Sequence, residues 1–259
     1  VPSVISLACI DIPKSIDGKA FLGKKLKKSE LDKRNSSFGY ADRFDEKYDL
    51  VRSLRKGKYK YMRNYQPFNV DGLYNFYRYE MLAYKEWYTL FQDGKLNDIQ
   101  SQFFKPKSPE SLYNIEEDPH ETKNLANDIA YNDVLIAMRE ELNNHLMSIN
   151  DLSFLPEPYF LKKGIDDVVE YSAQNKALIK KLIETSNLQL KDYDAVSSQI
   201  KKALEHDNPW VRYWGLIVCS SFGDEIFWTI QFSPFVLHDF LWIIIFKLSD
   251  LISLDKNLI

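Results

Sequence analysis

The sequence has little glycine, few cysteines and histidines, and no strong excess of either charge. Nine glycines in 259 residues are about half of the usual share of roughly 7%, which disfavours folds that bind phosphate through glycine-rich loops. Two cysteines exclude a disulfide framework. A net charge of −3 gives no general reason to expect nucleic acid or an anionic membrane as a partner.

Long hydrophobic runs are also scarce. The most apolar run, residues 240–246, has seven residues, whereas a membrane-spanning helix needs about 20. A membrane helix is therefore disfavoured. Residues 1–20 lack the pattern of a signal peptide, so the localisation of this chain stays open. For residues 224–259, whose composition changes abruptly, a natural hydrophobic tail and an altered chain end both remain open.

Motifs of well-known catalytic centres are missing as well. The four histidines stand at least 25 residues apart, so no His-x-His or His-Glu-x-x-His metal pair exists. No Gly-x-Ser-x-Gly, Gly-x-Gly-x-x-Gly or P-loop segment occurs. Serine hydrolases of the elbow type and nucleotide-binding domains are therefore disfavoured.

Several segments do predict local structure. Residues 50–54 and 58–62 flank a short glycine-containing connection and predict a β-hairpin. Short strands are expected at 38–41 and 111–114, and residues 128–147 repeat apolar side chains at helical spacing. Between them, residues 66–109 form an aromatic-rich excursion, which either packs on itself or offers stacking platforms for sugars or bases.

The second half of the chain has a helical pattern. Two prolines within residues 155–158 indicate a boundary, and helices are predicted over 165–185, 193–205 and 210–221. The last two helices, joined through Asp-Asn-Pro-Trp-Val-Arg at 207–212, resemble one unit of a HEAT-type solenoid.

Charge is concentrated between residues 41 and 63, with Arg43 between carboxylates at the end of a predicted strand. A guanidinium binds oxyanions through two parallel hydrogen bonds, which makes Arg43 a candidate contact for an anionic ligand. The alternative is a surface ion pair with Asp42 or Asp45. A nucleic-acid site built on the basic residues 52–63 fits the negative net charge poorly.

The order of these segments resembles the C-terminal part of formylglycine-dependent sulfatases. Residues 2–13, PSVISLACIDIP, and 15–22, SIDGKAFL, are similar to the family's P-T-x-L-x-x-A-G-I-x-I-P and M-D-G-x-S-L. Residues 51–61 are similar to its hairpin V-R-x-x-x-x-K-Y-I. Residues 111–126, SLYNIEEDPHETKNLA, match its ending E-L-Y-D-L-x-x-D-P-x-E-x-x-N-L-A at about a dozen positions in fixed order.

This resemblance implies an alkaline-phosphatase-like enzyme whose small C-terminal subdomain is a four-stranded antiparallel sheet with a packed helix. It also implies calcium and a formylglycine made from C/S-x-P-x-R. That segment and an Asp-Asn-Gly metal segment are absent from this sequence, so the chain itself is expected to carry no cofactor and to be inactive alone. The family places both upstream, so the chain is expected to begin partway through a larger fold.

We therefore predict an α+β fold: a sulfatase C-terminal subdomain at 1–150, a helical HEAT-like segment at 151–223, and a hydrophobic tail at 224–259. The predicted function is a C-terminal fragment of a bacterial-type sulfatase that closes the pocket for sulfated glycans or related esters. Arg43 and Asp45 are the predicted substrate contacts.

The expected partners are a sulfated saccharide and an N-terminal catalytic half, with no nucleic acid. A full-length bacterial relative would be periplasmic or secreted. The alternative function is a non-catalytic helical-repeat interaction module with a glycan-binding sheet.

Overall fold

A computed structural model describes residues 1–16, 18–23, 26–44 and 47–222. Within these ranges the chain forms one four-stranded antiparallel sheet and eleven α-helices. The strands are β1 Ser36–Phe44, β2 Lys47–Lys56, β3 Tyr59–Asn64 and β4 Glu110–Asn114. The helices are α1 Pro2–Leu7, α2 Lys28–Leu31, α3 Phe76–Glu80, α4 Leu82–Gln92, α5 Asp98–Ser101, α6 Asn132–Ile149, α7 Glu157–Gly164, α8 Val168–Gln174, α9 Lys176–Ser186, α10 Tyr193–Leu204 and α11 Pro209–Cys219. The predicted tail at 224–259, with its apolar run, lies outside the described residues.

The sheet has the strand order β1-β2-β3-β4, and every neighbouring pair is antiparallel. Leu54 on β2 lies opposite Tyr61 on β3, and the turn between the strands contains Gly57. Gly57 has a φ of 59°, a left-handed conformation that glycine adopts without steric cost. The predicted hairpin and the strands predicted at 38–41 and 111–114 are confirmed.

One face of the sheet packs against α6. The helix predicted over 128–147 is confirmed, with residues 129–131 forming a separate 3-10 turn before it. Apolar side chains from the strands and from α6 meet in one buried cluster, as expected for a half-buried sheet covered by an amphipathic helix. Its central members are Leu50, Leu54, Tyr61, Leu112, Leu135, Met138, Leu142 and Leu146.

The aromatic excursion forms the short helices α3, α4 and α5, and its rings pack largely on one another. Trp87 and Phe103 stack with centroids 4.5 Å apart, and Phe91 and Phe104 stack at 4.7 Å. Phe76 and Tyr77 stay exposed. Most of these rings therefore hold the excursion together, as the first of the two interpretations predicts.

The helical region departs from the prediction at two places. Helix α7 begins inside the predicted boundary at 155–158, because Pro158 is accommodated in its first turn. Instead of a single helix over 165–185, α8 and α9 meet at Asn175, whose side chain donates to the carbonyl oxygen of Tyr171 at 2.8 Å. An asparagine amide that competes for a backbone carbonyl weakens helix continuity. The other two predicted helices are confirmed as α10 and α11. Across the described part of the chain, no helix has the length and apolarity needed to cross a membrane.

The sheet and the later helices share a hydrophobic core. Phe154 and Trp214 belong to the same buried cluster as Leu54, and the Trp214 indole donates to the Phe154 carbonyl oxygen at 2.8 Å. The Tyr65 ring meets the Phe154 ring edge-on at 4.8 Å. The division at residue 150 stays a prediction, and in the structure the two ranges are joined across it by packing.

A stacked pair on the α6 side of the sheet gives a pH prediction. The rings of Phe38 and His145 lie 3.7 Å apart, and burial lowers the pKa of His145 from 6.5 although the Asp151 charge opposes this. A depressed pKa means that the contribution of His145 to stability is present above pH 6.5 and is lost as the pH falls through the folded-state pKa. We expect Phe38→Ala to move the pKa of His145 back toward 6.5 in an NMR titration of the imidazole protons.

The control is Tyr40→Ala, which removes another exposed ring two residues along the same face of β1. It should leave the His145 titration unchanged. An unchanged titration in Phe38→Ala would show that the stacked ring is not the source of the burial.

Candidate functional site

The structure brings charged side chains together at the end of the sheet where β1 leads into β2. The strand register shifts between Ala41 and Arg43, where Asp42 of β1 faces two residues of β2, Asp49 and Leu50. Two residues against one is the pattern of a β-bulge. Arg43 then lies opposite Tyr48, with its guanidinium carbon 5.4 Å from the ring centroid. This sheet end carries the predicted site.

Arg43 binds a carboxylate from the helical region. Its Nε donates to Oε2 of Glu157 at 2.7 Å, and Nη2 donates to the same oxygen. The two side chains are 44% and 34% exposed, so the pair lies at the surface. Asp45, the other predicted site residue, lies outside the described residues.

A buried ion-pair network supports the bulge from inside. The Arg52 guanidinium is held by Asp151 at 2.6 and 3.1 Å, and its Nη1 donates to Asp42 Oδ1 at 2.5 Å. The Ser153 hydroxyl donates to the other oxygen of Asp42 at 2.8 Å. Burial lowers the pKa of Arg52, but the hydrogen bonds and charges of Asp151 and Asp42 outweigh it and raise the pKa. The residue before Arg43 is thereby fixed to the core.

A second charged group was not expected from the sequence. At the start of β2, Lys107 contacts the Asp49 carboxylate and lies 3.4 Å from Asp71, while Lys47 lies 3.9 Å from Asp71. Burial lowers the pKa of Lys47, although both aspartates oppose the shift. Asp71 and Lys107 come from the aromatic excursion and are 36 residues apart, so no local pattern in the sequence joins them.

The basic stretch 52–63 does not form an open cationic surface. Arg52 and Arg63 are 4% and 1% exposed, and both are used in internal hydrogen bonds. Lys60 donates to both oxygens of Glu121 at 2.7 Å. Arg52, Arg63 and Lys60 are therefore engaged within the protein and do not offer a binding surface to a polyanion such as a nucleic acid.

No group of three or more histidine, cysteine, aspartate or glutamate side chains with the arrangement of a metal site occurs among the described residues. The carboxylates at the sheet end are engaged by arginine and lysine instead. The described residues therefore offer no donor set for the calcium that the sulfatase resemblance places upstream of this chain.

At position 9 the sequence departs from the sulfatase motif, but the backbone there has a conformation that suits the glycine of that motif. Cys9 stands where the resembling motif has glycine, and its φ is 62°. This left-handed conformation costs an ordinary residue roughly 1 kcal/mol and costs glycine almost nothing. The local backbone thus agrees with the resemblance although the side chain does not.

Comparison with known proteins gives a sulfatase relative. The chain is 36% identical over 163 residues to an ulvan-active sulfatase of Formosa agariphila, a match that covers 62% of this chain and 27% of that protein. No protein-family model matches the chain.

Two solved structures also align with it, both at 18% identity. One is a Bacteroides thetaiotaomicron chain assigned to the sulfatases, with a TM-score of 0.33 over 57% of this chain and 23% of that one. The other is a 2-O GAG sulfatase, with a TM-score of 0.34 over 58% and 24%. The chain thus spans about a quarter of the length of these proteins, and over 62% of its own length it is a sequence relative of a sulfatase.

Proposed function

We propose that this chain forms the C-terminal part of a sulfatase, a hydrolase of sulfuric esters, and closes one side of the pocket for a sulfated glycan or a related ester. The observation that carries the proposal is the 36% identity over 163 residues to an ulvan-active sulfatase. The sheet with α6 packed on one face is the kind of subdomain that the resemblance implies.

In this proposal Arg43 contacts the anionic group of the substrate, and Asp45 contacts the same saccharide. Arg43 is supported by three features: its half-exposed side chain, its place next to the bulge, and the ring of Tyr48 beside it. The Glu157 carboxylate holds the guanidinium in one orientation, and it is also a competing anion with which a substrate oxyanion has to share Arg43. Asp45 rests on the sequence pattern alone.

The partner in this function is a catalytic half with the formylglycine and calcium of the alkaline-phosphatase-like enzymes. The present sequence contains no C/S-x-P-x-R segment, so the proposed role of this chain is substrate contact. A periplasmic or secreted location of the bacterial enzyme is part of the same proposal, because a sulfated polysaccharide is met outside the cytoplasm.

A chimera tests the proposal. The segment of the Formosa agariphila sulfatase that aligns with this chain is replaced by the corresponding residues of this chain, and sulfate release from ulvan is measured. We expect activity at least tenfold above that of the same sulfatase cut before the segment. A folded chimera no more active than the cut enzyme would contradict the function.

The role of Arg43 is tested within the same chimera. Arg43→Ala should lower kcat/KM for ulvan about 10- to 100-fold, because a charge-assisted hydrogen bond contributes roughly 1.5–3 kcal/mol. Lys162→Ala is the matched control, since it removes one positive charge from the last turn of α7, the helix that begins at Glu157. It should change kcat/KM less than twofold. If both substitutions changed kcat/KM equally, the proposed contact between Arg43 and the substrate would be contradicted.

The second candidate is a non-catalytic helical-repeat module with a glycan-binding sheet. It rests on α10 and α11, which pack closely: a Cβ at Gly215 would lie 3.1 Å from the Leu204 side chain. The HEAT-like character of this pair stays a prediction. This candidate requires helices that form a module of their own. Trp214 of α11, however, donates a hydrogen bond to Phe154 and packs in the same core as the sheet. An inactive chimera that still binds ulvan would favour it.

A further inference from the structure

The face of the sheet opposite α6 carries a groove with a volume of about 460 Å³. Leu54 points into the core, so its neighbour Arg55 points to the opposite face, as alternation along a strand requires. Its polar and small lining residues are Ser37, Gly39, Ser53, Arg55, Lys60 and Glu121. Phe38, Ile115 and Pro119 supply the apolar part of the lining. This volume lies in the range of small-ligand sites, roughly 300–1,000 Å³.

Small residues make the floor of the groove. Ser37 lies directly opposite Arg55, and Gly39 lies directly opposite Ser53. A Cβ at position 39 would come within 2.7 Å of the Ser53 hydroxyl oxygen, so glycine keeps the floor open. Among the residues that the structure describes, neither serine hydroxyl has a hydrogen-bond partner. Two hydroxyl groups are thus available to a ligand.

The walls differ in charge. Lys60 is neutralised by Glu121, whose two carboxylate oxygens each accept a hydrogen bond at 2.7 Å. Glu121 has a φ of 54°, and the turn that carries it is held by Asp118, which accepts from the Lys123 amide at 2.8 Å. Arg55 is exposed and forms no ion pair with any described residue. The groove therefore has a net positive charge supplied by Arg55.

We propose that this groove binds an anionic sugar unit of the glycan, as a second contact site separate from Arg43. The planar fork of Arg55 would take the oxyanion, and the hydroxyl groups of Ser37 and Ser53 would bond the ring hydroxyls. Position 37 is six residues from Arg43 along β1, about 20 Å at roughly 3.4 Å per residue. The proposal rests on the proposed function in taking a sulfated glycan as the ligand.

The experiment is titration calorimetry of the 259-residue chain with ulvan oligosaccharides, and with the same oligosaccharides after chemical desulfation. Arg55→Gln should weaken binding about tenfold, because it removes the charge that assists the hydrogen bonds. Gly39→Ala should weaken binding as well, because the added methyl group fills the floor. The matched control is Lys56→Gln, the next residue along β2, which is bonded to Glu141 on the α6 side.

Binding that is weakened by Arg55→Gln and not by Lys56→Gln supports the groove. Loss of binding on desulfation then assigns the oxyanion to a sulfate, and retained binding assigns it to a carboxylate of the sugar. Equal affinity of the two variants, or no binding by the folded chain, overturns the groove.

The outcome is separable from that of the proposed function. If the chimera is active and Arg55→Gln and Lys56→Gln bind with equal affinity, the groove is not a glycan site, but the sulfatase function stands. If the chimera is inactive and binding depends on Arg55, the sulfatase function is contradicted, but the groove is still a glycan site.

Discussion

Replacing Asp151 by asparagine is expected to lower the free energy of unfolding by about 3 kcal/mol, the low end of the range for breaking a buried ion pair. The substitution keeps the shape of the side chain and removes its charge. Asp151 holds two nitrogens of Arg52, at 2.6 and 3.1 Å, and one of its oxygens also accepts from the Ser153 amide at 3.1 Å. Among the described residues, the buried Arg52 would keep Asp42 alone as a counter-ion.

The matched control is Glu141→Gln, the same chemical change in an exposed ion pair. Glu141 accepts from Lys56 at 2.6 Å, but the two side chains are 33% and 55% exposed. Exposed ion pairs contribute about 0–1 kcal/mol, so this variant should lose less than 1 kcal/mol. Both free energies can be measured by urea unfolding followed by tryptophan fluorescence.

The Asp151→Asn variant is expected to lose more stability because its ion pair is buried. Equal losses of unfolding free energy in Asp151→Asn and Glu141→Gln would contradict this explanation. A double-mutant cycle with Arg52→Gln adds a second check. The loss in the double variant should be smaller than the sum of the two single losses, because each single change removes the same interaction.

The elements that the sequence predicts correctly are those with a local pattern. The β2–β3 hairpin has alternating strands around a glycine turn, and α6 repeats its apolar residues every three to four positions. The sequence does not predict the break at Asn175, because apolar periodicity continues through it. The break depends on one side-chain hydrogen bond, from Asn175 to the Tyr171 carbonyl oxygen.

Charged side chains were harder to place, because their partners are distant in the sequence. Arg43 meets Glu157, 114 residues away, and Arg52 meets Asp151, 99 residues away. The alternation of β2 does place Arg52 on the same face as the buried Leu50 and Leu54. The strand pattern therefore predicts that Arg52 is buried. It does not predict which carboxylates compensate the charge of Arg52.

The same reasoning applies to Arg63, which lies directly opposite Arg52 in the strand register. Like charges placed opposite each other destabilise a sheet, so each arginine needs its own compensation. Arg52 has two carboxylates, whereas Arg63 forms no ion pair with any described residue. Burial lowers the pKa of Arg63, and its charge is stabilised by dipoles and by the Tyr65 ring at 4.5 Å.

Arg63→Met is accordingly expected to cost about 3–5 kcal/mol of unfolding free energy. Methionine fills most of the space, but four acceptors at 2.8–2.9 Å lose the donors that Arg63 supplies. The Pro109 carbonyl oxygen keeps the Asn64 amide as a second donor, at 2.8 Å. Each buried acceptor left without a partner costs roughly 1–3 kcal/mol, and partial relaxation keeps the total below the sum. The four acceptors are the carbonyl oxygens of Asn64, Pro109 and Ser186 and the side-chain oxygen of Gln189.

Arg63→Met should also loosen the contact between the sheet and the helical region. Arg63 lies on β3, and two of its acceptors, Ser186 and Gln189, belong to the helical region. Amide hydrogen exchange at residues 186–190 should accelerate more than exchange within the β2–β3 hairpin. Arg55→Gln is the control, since it removes an exposed arginine from the neighbouring strand and should change stability by less than about 0.5 kcal/mol. If exchange at 186–190 keeps its rate while stability falls, Arg63 stabilises the sheet alone, and the helices are held to it by the apolar contacts around Trp214.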